Sequence, residues 1–329
     1  MKILYIGGTG EISYACVQAG GAMGQQVAVF NRGKNAEPLP AGVRSIVGDL
    51  ADDAAYRRLG EERWDAVCQF KAYDVAGVKR DAEVFGGKVG QYVFISTASA
   101  YRKPPTDYVL TERTPVGNPY WDYSRNKIAA EEFLLQAHVE KQLPVTIVRP
   151  SHTYRRNFPG TVISGDDYAW RFLQGQPVIV HGDGTSLWTY TPAEEFAWFF
   201  VRLLGNAGAI GETFNLTAHL RGYTWDHIYQ ACAAALGTQA KIVHVPTDTL
   251  VRLKPDTVGP LLGDKTWPTL FDNSKLRRLL GEGPRETPLE EGLKHTARHV
   301  IQRLEHYQPD PALHAWVDRM VAAQDRLSV

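Results

Sequence analysis

Near its start the sequence reads Ile3-Leu4-Tyr5-Ile6-Gly7-Gly8-Thr9-Gly10-Glu11-Ile12-Ser13, a short apolar run that passes directly into a glycine turn and then into helical spacing. An apolar run this short, ended by glycine, reads as a buried strand. Gly7 and Gly10 permit a tight turn and close approach of a phosphate. The helix that follows offers backbone N–H groups and its positive dipole end to a pyrophosphate. Ser13 stands where such a turn usually has a third glycine and is small enough to let the helix lie close to the sheet.

Further along, short apolar or β-branched runs recur at Ile3–Ile6, Val27–Phe30, Ser45–Val47, Ala66–Phe70, Tyr92–Ile95 and Val145–Val148, most of them separated by helically spaced segments. Near-continuous apolar strands alternating with helices predict a parallel sheet covered on both faces, because right-handed crossovers place the helices there. The expected fold is α/β, a Rossmann-like doubly wound parallel sheet. After Pro150 loops lengthen, and helices over 193–204 and 224–236 are joined by short strands, which predicts a smaller mixed α/β C-terminal substrate domain. The expected division is 1–152 for the dinucleotide-binding domain, joined by parts of 185–220, with 153–329 mostly substrate-binding and interleaved with it. Thr287-Pro288-Leu289-Glu290 predicts a helix start with Thr287 as cap.

The 329 residues are 44% hydrophobic, 22% charged and 11% aromatic, which predicts a folded globular chain of about two domains. Thirty-six basic residues balance thirty-six acidic ones, so no global field draws the chain to nucleic acid or an anionic membrane. Cys16, Cys68 and Cys232 lack the paired spacings of a metal or redox centre and read as buried thiols; no metal site is expected. The longest apolar stretch, Phe196 to Leu204, is interrupted by Arg202 and too short to span a bilayer, and no signal-peptide pattern appears, so the reading is cytoplasmic.

The second strand ends Val29-Phe30-Asn31-Arg32, with none of the acidic residues that bind both ribose hydroxyls of NAD. Asn31 can bond one hydroxyl, and the planar fork of Arg32 suits a 2′-phosphate, so the sequence favours NADP over NAD. Asp49-Leu50, after the third strand, is placed to contact adenine. Tyr123-Ser124-Arg125-Asn126-Lys127 opens a helix, setting Tyr123 and Lys127 one turn apart on one face. A phenol with pKa near ~10 works as a proton donor and acceptor at neutral pH only if its phenolate is stabilised, and a nearby ammonium supplies that. At the end of the fifth strand, Ser96-Thr97-Ala98-Ser99 clusters hydroxyls where open α/β sheets bind ligands.

In this order, the glycine turn, the strand-end hydroxyls, Tyr123/Lys127 and Val148-Arg149-Pro150 resemble the extended short-chain dehydrogenase/reductases, specifically the NAD-dependent epimerase/dehydratase family. Gly182-Asp183-Gly184-Thr185 before Ala193-Glu194-Glu195-Phe196-Ala197, and Asp272-Asn273-Ser274-Lys275, resemble its later landmarks. The resemblance implies that Thr97 is the catalytic Ser/Thr with Ser96 as understudy, Tyr123 the general acid/base, and Lys127 the residue that binds nicotinamide ribose and lowers the tyrosine pKa. It also implies cofactor contacts from Gly7, Thr9, Gly10, Glu11, Ile12, Asn31, Arg32, Asp49, Leu50, Phe70, Lys71, Ser96, Tyr123, Lys127 and Pro150. A homodimer through the helices flanking the fourth and fifth strands, here including 122–142, is expected on the same ground.

The 4,6-dehydratases carry Asp-Glu after the catalytic threonine, whereas Ala98-Ser99 follow Thr97, which argues against dehydration. The arginines that pair with a substrate diphosphate are missing: Trp188 takes the place of one and Leu261-Leu262-Gly263-Asp264 offers none, with Arg155 and Arg156 as possible substitutes. Ser99, His152, Trp188 and Tyr190 are the candidate substrate contacts, with Trp170 and Trp267 in segments expected to form the same pocket wall. The reading is an NAD(P)-dependent epimerase or oxidoreductase moving a hydride at a hydroxyl or ketone carbon of a sugar-like small molecule. The alternative is an NADPH-dependent reductase of a non-sugar carbonyl. Tyr223-Thr224-Trp225 through His244, with Asp272 to Lys275, also resembles the chloroplast stem-loop RNA-binding proteins; the balanced charge and the retained Tyr123/Lys127 argue against nucleic acid.

Overall fold

The structure, a computed structural model, describes residues 1–34 and 37–326. Seven strands form one parallel sheet: β1 (Lys2–Ile6), β2 (Gln26–Asn31), β3 (Arg44–Val47), β4 (Ala66–Gln69), β5 (Tyr92–Ile95), β6 (Val145–Pro150) and β7 (Thr213–Leu216). Their spatial order is β7-β6-β5-β4-β1-β2-β3. Tyr5 at the centre of β1 sits between Val29 of β2 and Cys68 of β4. The chain therefore winds from β1 out to β3, then crosses back to build β4 through β7 on the other side. The loops after β1 and β4 diverge at this switch point and open a crevice at the carboxyl ends of the strands.

The six strands expected from apolar runs are present, and β5 and β6 are buried along their whole length, as a sheet covered on both faces requires. The seventh strand, Thr213–Leu216, gave no such signal: its four residues include the buried Asn215. On one face lie α1 (Ser13–Ala22) and a helix at Ala193–Leu203, which join the strands in a core built around Val17, Phe196 and Phe200. On the other lie α2 (Val75–Phe85) and α3 (Asp122–Val139), around Val78, Phe94 and Leu134. Arg149 of β6 and Glu131 of α3 form a buried two-pronged ion pair beneath the crevice.

A third apolar cluster, around Tyr168, Phe172, Trp225, Tyr229 and Leu293, gathers residues between Tyr154 and Val317. Its helix Trp225–Ala235 is capped by the Thr224 hydroxyl, which accepts the His227 N–H. The helix at Leu289–Leu304 begins as expected, but no side chain caps it. Thr287 instead donates its N–H to Glu195 at 2.6 Å and lends its carbonyl to Arg221, so a tertiary ion pair takes the segment that local capping would have used. Cys16, Cys68 and Cys232 are buried free thiols. Among the described residues no helix is long and apolar enough to cross a membrane, and no three acidic, His or Cys side chains gather as metal ligands.

Candidate active site

A cavity of about 570 Å³ runs along the carboxyl ends of the strands, from the glycine turn after β1 past β5 and α3 to the segment 264–269. Gly7, Gly10, Glu11 and Ile12 line its first end. Gly7 has φ +90°, and a Cβ there would lie 2.5 Å from Lys71 Cγ; one at Gly8 would lie 2.7 Å from Val29 Cγ2. Only glycine leaves this turn open. Ser13 does more than fit: its hydroxyl accepts the Gly10 N–H at 2.9 Å and donates to the Gly7 carbonyl at 2.7 Å, bracing the turn. No side chain caps the start of α1, and its N-terminal end meets the glycine turn at a place suited to a pyrophosphate. The site therefore fits a dinucleotide.

Glu11 faces away from this role. Its carboxylate accepts the backbone N–H groups of Arg155, Arg156 and Asn157 and the Asn157 side-chain amide, at 2.6 to 3.0 Å. Arg155 and Arg156 in turn pair with Glu37. Neither guanidinium lines the cavity, so the expectation that these two arginines stand in for diphosphate contacts is not met: Glu37 holds them elsewhere.

Phe70, Lys71, Ser96, Thr97, Ser99, Tyr123, Lys127 and Pro150 all line the middle of the cavity. The Lys127 ammonium donates to the carbonyls of Ala72 and Ile95, each at 2.7 Å, and lies 6.0 Å from the centre of the Tyr123 ring. Burial pushes Lys127 down to about 7. Burial likewise pushes the Tyr123 phenol up to about 12, with the Thr97 hydroxyl pulling the other way. The resemblance implied a phenol lowered by Lys127. Among the protein's own groups desolvation wins instead, because the ammonium is aimed at two carbonyls. Thr97 caps a short turn by accepting the Ser99 N–H, and a hydroxyl chain runs from Thr97 through Ser99 to Ser124 at 2.9 and 2.7 Å. Ser96 Oγ is buried without a hydrogen-bond partner and borders the cavity.

The turn that grips Lys127 is itself held by residues that sequence reading missed. Gln69 accepts the N–H groups of Lys71 and Ala72 and donates to Asp81, a fully buried carboxylate that also accepts the Tyr56 and Tyr92 hydroxyls. No spacing rule links these positions.

At the far end, His152 and Trp188 line the cavity. Burial, with Lys265 nearby, holds His152 down to about 3, so it is a neutral imidazole. Tyr190 does not reach the cavity: it stacks on Tyr154 at 4.1 Å and bonds the Asn157 carbonyl, a core residue on the inner side of the wall. Trp170 packs against His314, and Trp267 bonds the Leu262 carbonyl, so neither forms the pocket. Trp121, Asp264 and Lys265 line it instead. Lys265 directly follows the Gly263-Asp264 pair in which the sequence reading looked only for an arginine.

Thr9 lies in the glycine turn, and Asn31, Arg32, Asp49 and Leu50 lie at the ends of β2 and β3 outside the cavity. The Asn31 amide oxygen accepts the Gly33 N–H at 2.7 Å, and Asp49 closes a turn on Ala51. Arg32 is exposed.

A doubly wound parallel sheet whose crevice gathers a glycine turn, strand-end hydroxyls and a Tyr/Lys pair from one helix defines a dinucleotide-binding fold of the short-chain dehydrogenase/reductase class. Residues 84–217 match the model of the NAD dependent epimerase/dehydratase family. The chain is 27% identical to 2′-dehydrokanamycin reductase of Streptomyces kanamyceticus over 282 residues, 85% of this chain and 79% of the relative. It is 29% identical to the chloroplast stem-loop binding protein of 41 kDa b of Arabidopsis thaliana over 262 residues, 74% of this chain and 65% of that one. UDP-glucose 4-epimerase from Bifidobacterium longum, solved with NAD+ and UDP, shares the fold with a TM-score of 0.74 at 19% identity, over 93% of this chain and 100% of that one.

Proposed function

We propose that this chain is an NAD(P)-dependent oxidoreductase that reduces a ketone, or the reverse, on a sugar or sugar-like small molecule, with NADPH as the preferred cofactor. The observation that carries this reading is one cavity lined by the glycine turn at one end and by Thr97, Tyr123 and Lys127 in the middle. The nicotinamide supplies hydride chemistry when bound. Gly7, Gly10 and the start of α1 would hold the pyrophosphate, and Lys127 the nicotinamide ribose. Tyr123 gives or takes the hydroxyl proton, and Thr97, with Ser96 beside it, bonds the same oxygen.

Reduction is favoured over epimerisation as the net reaction for two reasons. Burial pushes the Tyr123 phenol up to about 12, which disfavours the phenolate that the oxidative half of an epimerisation needs. The similarity to 2′-dehydrokanamycin reductase points the same way. Ala98 and Ser99, where an elimination would need carboxylates, argue against a dehydratase. Exposed Arg32 at the end of β2 is the group proposed to meet a 2′-phosphate. Three buried free thiols fit a reducing compartment, the cytoplasm, and α2 and α3, which lie together on one face of the sheet, are the proposed dimer surface.

The similarity to the stem-loop binding protein supports a second reading, RNA binding on the same fold. Titration with NADPH and NADH, followed by nicotinamide fluorescence, separates the two. Saturable binding with NADPH preferred, and loss of that preference in Arg32→Ala, supports the first; no binding of either dinucleotide, with salt-sensitive RNA affinity, supports the second.

A further inference from the structure

Lys265 is 7% exposed and borders the far end of the cavity, where its ammonium is paired with the carboxylate of Asp264. The two groups stand 3.7 Å apart, a long ion pair. The ring centres of Trp188 and Trp121 lie 5.1 and 6.0 Å from the ammonium. An ammonium largely withdrawn from water needs close acceptors, and one long ion pair with two indole faces replaces only part of what it lost.

Asp264 does not balance the charge. It is shared with a second buried cation, Lys103, whose pKa burial lowers while Asp264 raises it; Asp264 itself is held above the usual carboxylate range by burial. The cluster holds two ammonium groups and one carboxylate. His152, neutral, adds no charge. With one carboxylate between two cations, this wall is short of an acceptor.

Size sets a second limit. The cavity of about 570 Å³ extends from the pyrophosphate turn to Lys265, so the nicotinamide half of the cofactor shares it with the substrate. No arginine side chain lines it.

We propose that Lys265 seats a single anionic group, a carboxylate or a monophosphate, on a substrate of monosaccharide size. This rests on the oxidoreductase reading and narrows its substrate class to small anionic hydroxy or keto compounds. It sets apart amino sugars, whose ammonium would face Lys265, and nucleotide diphosphates, for which room and paired guanidinium groups are lacking.

The test is calorimetric titration of the protein saturated with NADPH, using glucuronate, glucose 6-phosphate, glucose, glucosamine and UDP as probes. Glucuronate or glucose 6-phosphate should bind at least about tenfold tighter than glucose, and glucosamine weaker than glucose. The stronger of the two anions tells carboxylate from phosphate. Lys265→Met should erase the anion preference and Lys265→Arg retain it. Should Lys265→Met not fold, the wild-type ranking decides alone. Anions that bind no better than glucose, glucosamine as the tightest probe, or UDP tighter than both anions would overturn the assignment. Prior titration with NADPH keeps the two readings apart. If NADPH binds and the anion preference is absent, only this assignment falls. If NADPH does not bind, the oxidoreductase reading falls, and the same probe ranking on the protein alone still judges Lys265.

Discussion

Asp81, fully buried, accepts hydrogen bonds from Tyr56 and Tyr92 at 2.5 Å and from Gln69 at 2.6 Å. Truncating it strands three buried donors. Asp81→Ala should therefore cost about 3 kcal/mol or more of stability, read as a lowered midpoint in urea unfolding, whereas Asp81→Asn, which keeps an acceptor, should cost less. Because Gln69 also fixes the Ala72 carbonyl that grips Lys127, cofactor affinity should fall in the same variant. Tyr123 carries a prediction in pH. With its phenol pushed up to about 12, the protonated donor persists through neutral pH. Ketone reduction should be insensitive to this group from about pH 6 to 9 and decline only as pH approaches the phenol's own value. Alcohol oxidation, which needs the phenolate, should rise with pH over that range. Tyr123→Phe should slow both directions by about 10²- to 10⁴-fold, measured as hydride transfer under single-turnover conditions; near-normal rates would remove Tyr123 from the chemistry.

Among the elements, the glycine turn and the loop at 155–157 form a clasp, since one carboxylate, Glu11, accepts four N–H groups from that loop. Glu11→Ala frees the loop from the turn. The loop is partly exposed, so water replaces some of these bonds, and the stability loss should stay near about 1–2 kcal/mol. The larger effect is expected in kinetics: stopped-flow NADPH release should accelerate several-fold, and an unchanged release rate would show that the clasp does not retain cofactor. The elements also show where sequence reading succeeds and fails. β5 and β6 were legible because strands buried on both faces are apolar throughout. The helix carrying Tyr123 and Lys127 was legible from its spacing. The strand Thr213–Leu216 was not, because its pairing with β6 rather than its own pattern makes it a strand. The cap expected at Thr287 failed for a related reason: Glu195 and Arg221, distant in sequence, compete for the same backbone.

For the whole molecule, the cavity touches the glycine turn after β1, the end of β5, the start of α3 and the segment 264–269, so a ligand filling it would tie together elements spread along much of the chain. A ligand bound only by the folded state stabilises it by RT ln(1 + [L]/Kd), about 2.7 kcal/mol at a hundredfold excess over Kd. NADPH should raise the thermal midpoint by several degrees, and NADH by less at equal concentration. Calorimetry showing no shift with either would contradict a cleft built for these cofactors.

The sequence by itself determined the alternation that makes a doubly wound sheet, the glycine turn and the Tyr123/Lys127 spacing, because each depends on neighbours a few residues apart. Only the tertiary structure decided the rest: that the phenol is raised rather than lowered, that Glu37 holds Arg155 and Arg156 away from the cleft, that Tyr190 is core, and that Lys265 borders the cavity. Burial and long-range pairing set those outcomes. Desolvation depends on what the whole fold places around a group, and no local pattern encodes it.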